Sequence, residues 1–274
     1  MGCPRDEGHA GGVAVQIIDP GNPRAPESRK DRSQQADSEQ ARTEATRLIV
    51  HDLRSPLNAV LGYLRLAQDM IAEGGQPDEI LELVQVSSRA AESTLSLVEL
   101  LLDIDKLEED GSNLHLESVS LQDVAAEALT AIKGLARAGN LTVQVSIGQD
   151  VPLVIADQSL LQRVLTNLLD NAIRYTPDGG QVRLEAQPRG RFVEVRVADT
   201  GPGIPAEARA CVFDKFYQGE QQPVRGHKGS GLGLAFCRLA VEAHGGVIWA
   251  AEGPEGGALI AFTLPADPDA SILR

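Results

Sequence analysis

Val50-His51-Asp52-Leu53-Arg54-Ser55-Pro56-Leu57-Asn58-Ala59-Val60 opens the stretch that sets the first half of the chain. Val50, Leu53, Leu57, Val60, Leu64, Ala67 and Ile71 follow one another at alternating steps of three and four, which lines apolar side chains along one seam of a helix. Gly74-Gly75-Gln76-Pro77 breaks that helix, and Ile80, Val84, Ser87, Ala91, Thr94, Val98 and Leu101 repeat the seam. The two seams predict a helical hairpin. Leu95, Leu97, Leu100 and Leu102 widen the apolar face beyond what one partner helix covers, so two chains related by a two-fold axis are expected to complete a four-helix bundle. A monomeric bundle closed by the rest of the chain is the alternative.

With Val50 and Leu53 facing the bundle, His51 projects outward and Ser55 follows one turn later on the same side. An exposed imidazole, with pKa about 6.5, is largely neutral near pH 7. Asp52 can accept from one ring nitrogen and leave the other more nucleophilic. Pro56, which in a helix interior costs about 3 kcal/mol, is expected to bend the axis just beyond the histidine. A nucleophile beside a bend reads as a functional hinge.

Outward from the hairpin, residues 1–35 are rich in Gly, Pro, Arg and Ser and read as a disordered leader or the remnant of a sensor. Residues 36–112 hold the hairpin. After the polar break at 108–113 the period changes, with strands expected over 141–147, 182–186 and 192–197 and helices over 121–136, 159–175 and 232–244. A final hairpin spans 247–264. The fold class is α+β: a dimeric helical hairpin followed, over 113–266, by an α/β sandwich with its helices on one face. Residues 267–274 form a tail.

The balance of 25 basic and 39 acidic residues, a net charge of −14, argues against nucleic acid or an anionic membrane surface as the main partner. No run approaches the roughly 18 apolar residues of a membrane span, and the first residues lack the apolar centre of a secretion signal. Cys3, Cys211 and Cys237 show no metal-ligand spacing and are read as bystanders in a reducing, cytoplasmic setting.

Three further clusters carry chemistry. In Asn167-Leu168-Leu169-Asp170-Asn171-Ala172-Ile173-Arg174-Tyr175-Thr176, the helical period puts Asn167, Asn171 and Arg174 on one face, amide oxygens suited to magnesium beside a guanidinium suited to phosphate. In Asp199-Thr200-Gly201-Pro202-Gly203-Ile204-Pro205, a carboxylate able to accept from a base amino group ends a strand, and the glycines let backbone approach a flat ring. Lys228-Gly229-Ser230-Gly231-Leu232-Gly233-Leu234 opens a helix with free N–H groups where phosphates would sit, and is neither a Walker pattern nor a dinucleotide fingerprint. Between them, residues 218–228 carry one aliphatic side chain, Val224, and read as a lid that is mobile when empty, with Arg225 and Lys228 open to trypsin. Phe213 and Phe216 are expected to pack beneath it.

Taken in order, these clusters resemble the sensor histidine kinases of two-component systems, over residues 38–266. Residues 50–57 resemble the phosphoacceptor box, 167–176 the asparagine box, 199–205 and 229–234 the two glycine boxes, and Val212-Phe213-Asp214-Lys215-Phe216-Tyr217 the phenylalanine box. The resemblance implies an ATP-binding domain of the kind shared with gyrase and heat-shock chaperones, ATP and Mg2+ as cofactors, a homodimer, and a response-regulator receiver domain as partner. It makes His51 the phosphoacceptor, Asp52 its acid/base neighbour, Asn171 the magnesium ligand and Asn167 its support. Asp199 becomes the adenine anchor, and Gly201, Gly203, Gly229, Gly231 and Gly233 line the nucleotide. Tyr175, Ile204, Phe213, Phe216, Lys228, Ser230, Leu232 and Leu234 complete the implied set. Arg174 stands where Lys is frequent and keeps the charge. Ser55 stands where Thr or Asn is usual in kinases that also dephosphorylate their partner, which leaves phosphatase activity open. No receiver domain follows residue 266, so the acceptor aspartate is expected on another protein. The competing readings are an ATP-operated clamp without phosphotransfer and a scaffold that has lost its chemistry.

Overall fold

The computed structural model describes residue 50 and residues 53–109, 114–225 and 229–269. Helix α1 covers 53–72 and α2 covers Pro77–Glu109. The turn between them depends on Gly74, which adopts a left-handed φ of 75°, and on the Gly75 N–H, which donates to Met70 O at 2.7 Å. Small residues set the approach of the two helices. Ala67 and Ser87 are buried, and Ser87 Oγ donates across the hairpin to Val60 O at 3.3 Å. Much of the hairpin's apolar surface is open: Leu57, Leu61, Leu64, Ile71, Leu81, Val84, Leu95 and Leu102 are exposed in the single chain.

The C-terminal end of α2 behaves differently. Leu100 and Ile104 are buried in the same core as the sheet domain, with Leu97, Leu101 and Leu107 packed against it. Polar contacts fasten the edge of this packing. Asp103 Oδ2 is buried and meets Arg163 as an ion pair without a well-aligned hydrogen bond, and Lys215 Nζ lies 2.6 Å from Glu108 Oε1.

After α2 come β1 (Glu117–Val119), α3 (Leu121–Ala138), β2 (Thr142–Ile147), β3 (Val154–Ala156), α4 (Gln158–Tyr175), β4 (Gln181–Arg189), β5 (Phe192–Asp199), α5 (Gly233–Ala243), β6 (Ile248–Glu252) and β7 (Ala258–Pro265). The main sheet has the order β2-β4-β5-β7-β6, with β2 parallel to β4 and every other pair antiparallel. Alternation puts Val182, Leu184 and Ala186 of β4, Val193, Val195 and Val197 of β5, and Ile260, Phe262 and Leu264 of β7 on one buried face. Helices α3, α4 and α5 supply the other side of this core through Val124, Ala128, Leu165, Leu168, Leu169, Phe236 and Ala240. β1 and β3 form a separate antiparallel pair. The chain after β7 stays attached: Ala266 bridges Val154, and the Asp267 N–H donates to Leu153 O at 2.8 Å. Among the described residues no helix is long and apolar enough to cross a membrane.

The helix that carries the asparagine cluster is held firmly at its start. Asp157 caps α4 by accepting from the Ser159 and Leu160 N–H groups at 3.1 and 3.2 Å and from Ser159 Oγ at 2.8 Å, and it also takes the His115 N–H at 3.2 Å. Its own N–H donates to Nε2 of the buried His244 at 2.9 Å. Burial pushes the Asp157 carboxyl up, but these hydrogen bonds outweigh it and leave the group below the usual carboxylate range. A lowered folded value means that this contribution to stability is present above the unfolded carboxylate pKa and fades as pH falls through the lowered value. Asp157→Ala is expected to cost about 1–2 kcal/mol. Thermal melts at neutral pH should show the loss, and the gap to wild type should close in acid.

Candidate functional site

Four segments meet at one end of the sheet. β5 delivers Asp199 at its last residue, where the side chain is only 9% exposed. Its Oδ1 accepts from the Gly201 N–H at 2.8 Å and from the Ala258 N–H at 3.2 Å. Both backbone donors fall on Oδ1, and among the described residues Oδ2 accepts no hydrogen bond. Burial raises the Asp199 carboxyl above its ordinary value, against the two backbone hydrogen bonds that lower it.

The loop after Asp199 is shaped by close approach. A Cβ at Gly201 would stand 2.7 Å from Tyr175 O and 2.9 Å from Asp199 Oδ1. Gly203 has a φ of 76°, and a Cβ there would meet Gly256 O at 2.8 Å. Thr200 ties the loop to the start of β4, its N–H donating to Gln181 O at 3.1 Å and its Oγ1 accepting from the Gln181 N–H at 2.9 Å. Arg209 Nε donates to Ile204 O at 3.0 Å and braces the far side.

α4 presents Asn167, Asn171, Arg174 and Tyr175, all partly exposed. Asn167 lies against the start of α5, its Oδ1 3.4 Å from where a Cβ on Gly233 would stand. Arg174 Nε donates to Asp170 Oδ2 at 2.5 Å. The expected phosphate contact is therefore left to its other guanidinium N–H groups. Burial raises the Tyr175 phenol above its ordinary value despite the neighbouring Arg174. The second glycine segment closes on the phenylalanine segment: the Phe216 N–H donates to Gly231 O at 3.0 Å, and a Cβ at Gly231 would lie 2.6 Å from Tyr217 O. Phe216 takes a left-handed φ of 63°, a costly conformation for an aromatic residue that these contacts hold in place. Phe213 and Leu232 are buried beneath, Ser230 Oγ accepts from the Leu232 N–H at 3.3 Å, and Leu234 lies in the first turn of α5. Gly229 has open space around it.

These contacts join the asparagine segment to the first glycine segment at Tyr175 and Gly201 and to α5 at Asn167 and Gly233, and join the phenylalanine segment to the second glycine segment at Phe216 and Gly231. Ser55 is exposed on α1. His51, Asp52 and Lys228 lie outside the described residues. One expectation is corrected: Arg225 is not an open lid side chain. It is 13% exposed and donates to Ile173 O, Thr176 O, Gly139 O and Asp178, because its planar fork finds a cluster of helix-end carbonyls. Ala258 and Gly257, which back Asp199, were also missed. Their only sequence signal is the turn Gly253-Pro254-Glu255-Gly256-Gly257, which says nothing of a contact to a residue so distant in the chain.

Residues 41–110 match the His Kinase A (phospho-acceptor) domain, and residues 156–268 match the histidine kinase-, DNA gyrase B- and HSP90-like ATPase domain. The sensor protein KdpD of Escherichia coli is 36% identical over 236 residues, which cover 84% of this chain and 25% of KdpD. The adaptive-response sensory kinase SasA of Synechococcus is 36% identical over 228 residues, covering 82% of this chain and 57% of SasA. The chain therefore spans between a quarter and somewhat over half of these relatives. The crystal structure of full-length ShkA in complex with AMPPNP superposes with a TM-score of 0.62 at 28% identity, over 86% of this chain and 47% of ShkA. With a phosphoacceptor-type hairpin and an ATPase-type sheet domain joined in this order, the chain belongs to the sensor histidine kinase family.

Proposed function

We propose that this chain is an ATP-dependent protein-histidine kinase that phosphorylates its own His51 and passes the phosphoryl group to an aspartate of a response-regulator receiver domain on a partner protein. The observation that carries the nucleotide half is Asp199: a buried carboxylate with one oxygen held by backbone and one left over, behind glycines where a Cβ would fill the approach. The Asp199 carboxylate accepts from the base, and the N–H groups around Gly229–Gly233 at the start of α5 receive the phosphates.

In the transfer, the imidazole nitrogen of His51 attacks the γ-phosphorus, an N–P bond forms, the P–O bond to ADP breaks, and Asp52 takes up the ring proton. A receiver aspartate then displaces the imidazole from phosphorus. The residues present fit magnesium in donor chemistry: Asn171 offers a neutral hard oxygen, and among the described residues no group of three or more His, Cys, Asp or Glu forms an all-protein cage. The ion would take its remaining ligands from phosphates and water. Bound there, magnesium would supply positive charge beside the phosphates. The leucines left open on α1 and α2 support a homodimer formed through the hairpin.

The expected result with γ-labelled ATP and magnesium is a protein-bound label that is lost in acid and kept in alkali, and that moves to a receiver domain on mixing. A label stable to acid would place the phosphate on a hydroxyl and overturn the reading.

A further inference from the structure

The C-terminus of α4 lacks the usual glycine cap. Thr176 follows in an extended conformation, φ −81° and ψ 128°, so the chain does not fold back to satisfy the last carbonyls of the helix. Those carbonyls are taken instead by a segment about fifty residues later. The Val224 and Arg225 N–H groups donate to Arg174 O at 2.8 and 3.2 Å. Arg225 Nη1 donates to Ile173 O at 2.9 Å and to Thr176 O, and Nη2 donates to Gly139 O at 3.2 Å and pairs with Asp178. The cation sits at the negative end of the helix dipole. Gly139 leaves room for it: a Cβ there would collide with the guanidinium, although its φ of −94° is open to any residue.

What this cap holds is part of the nucleotide site. Arg174 and Tyr175 are the last two residues of α4, and Asn171 is one turn earlier. Asp199, by contrast, is fixed by the Gly201 and Ala258 N–H groups without help from Arg225. We infer that Arg225 is a positioning residue for the phosphate side of the site, binding no nucleotide itself but fixing the last turn of α4 through a fork shared between α4 and the end of α3. This rests on the nucleotide reading of the pocket. A lysine in its place keeps the charge but has no planar fork to bridge Gly139 O with Ile173 O and Thr176 O.

The test uses the full chain, magnesium, a non-hydrolysable ATP analogue and adenosine, which lacks the phosphates. Arg225→Ala and Arg225→Lys are each expected to weaken analogue binding about tenfold and to leave adenosine binding within about twofold. Gly139→Ala should reproduce this loss by displacing the guanidinium, and in the Arg225→Ala background it should add almost nothing, since the group it collides with is gone. Wild-type affinity in Arg225→Lys, equal loss of adenosine and analogue, or additive effects in the double variant would each overturn the assignment. Tight analogue binding by wild type and all variants alike would sink the role of Arg225 alone. No binding by wild type would sink the nucleotide reading and this assignment with it.

Discussion

His51→Gln is expected to abolish autophosphorylation and to leave ATP affinity within about threefold of wild type, because the proposed nucleophile and the proposed nucleotide pocket belong to different parts of the chain. A glutamine amide has no basic lone pair to attack phosphorus, so no residual transfer through residue 51 is expected. Every residue assigned to the pocket falls between Asn167 and Leu234, on α4, the end of β5, and the segments leading into α5. Binding of a fluorescent ATP analogue, measured beside label incorporation, separates the two functions. Loss of nucleotide binding in this variant would mean that His51 contributes to the pocket, and the division of labour drawn here would be wrong.

Asp199→Asn is expected to reverse the choice of base while leaving the fold intact or firmer. The asparagine keeps a carbonyl oxygen for the Gly201 and Ala258 N–H groups but replaces the second acceptor with an NH2 donor. Adenine offers an amino hydrogen where guanine offers a carbonyl oxygen, so the wild-type carboxylate matches adenine and faces guanine acceptor to acceptor. A charge-assisted hydrogen bond is worth roughly 1.5–3 kcal/mol, which gives at least about a tenfold preference for ATP over GTP in wild type. In the variant that preference should vanish or invert. Stability moves the other way. Burial lifts the Asp199 carboxyl, so the folded protein without nucleotide loses stability as pH rises from the unfolded carboxylate value through the raised one. Removing the charge removes that loss, and the melting temperature at neutral pH should hold or rise. Equal use of ATP and GTP by wild type would sink the role given to Asp199.

The helices and long strands were legible because each carries a period. α4 was expected over 159–175 and spans Gln158–Tyr175, and β5 was expected over 192–197 and spans Phe192–Asp199. β1 and β3 were not, since three residues each are too few to show alternation. Within the candidate site, the sequence is readable where chemistry and spacing coincide in one segment, as in Asp199 with Gly201, whose N–H the carboxylate accepts. It was illegible where a residue acts across the chain. Ala258 supports Asp199 from 59 residues away, and Arg225 reaches Gly139 from 86 away. Nothing in the local pattern around Arg225 distinguishes a buried cap from a solvated loop arginine. The contact of Asp103 with Arg163 was hidden for the same reason, and with it the fact that the end of α2 packs into the core of the sheet domain instead of standing apart.

The central claim is that one chain both holds ATP and carries the histidine that receives its phosphate. Its most direct test is mass-spectrometric mapping of the phosphate on wild-type protein after incubation with ATP and magnesium, with digestion kept at neutral or alkaline pH so that a phosphoramidate survives. A single modified peptide containing Val50-His51-Asp52 is expected, with the phosphate on His51 and with a lower yield from the Asp199→Asn variant at sub-saturating ATP. Phosphate on a serine or threonine, or ADP formation with no modified peptide at all, would contradict it.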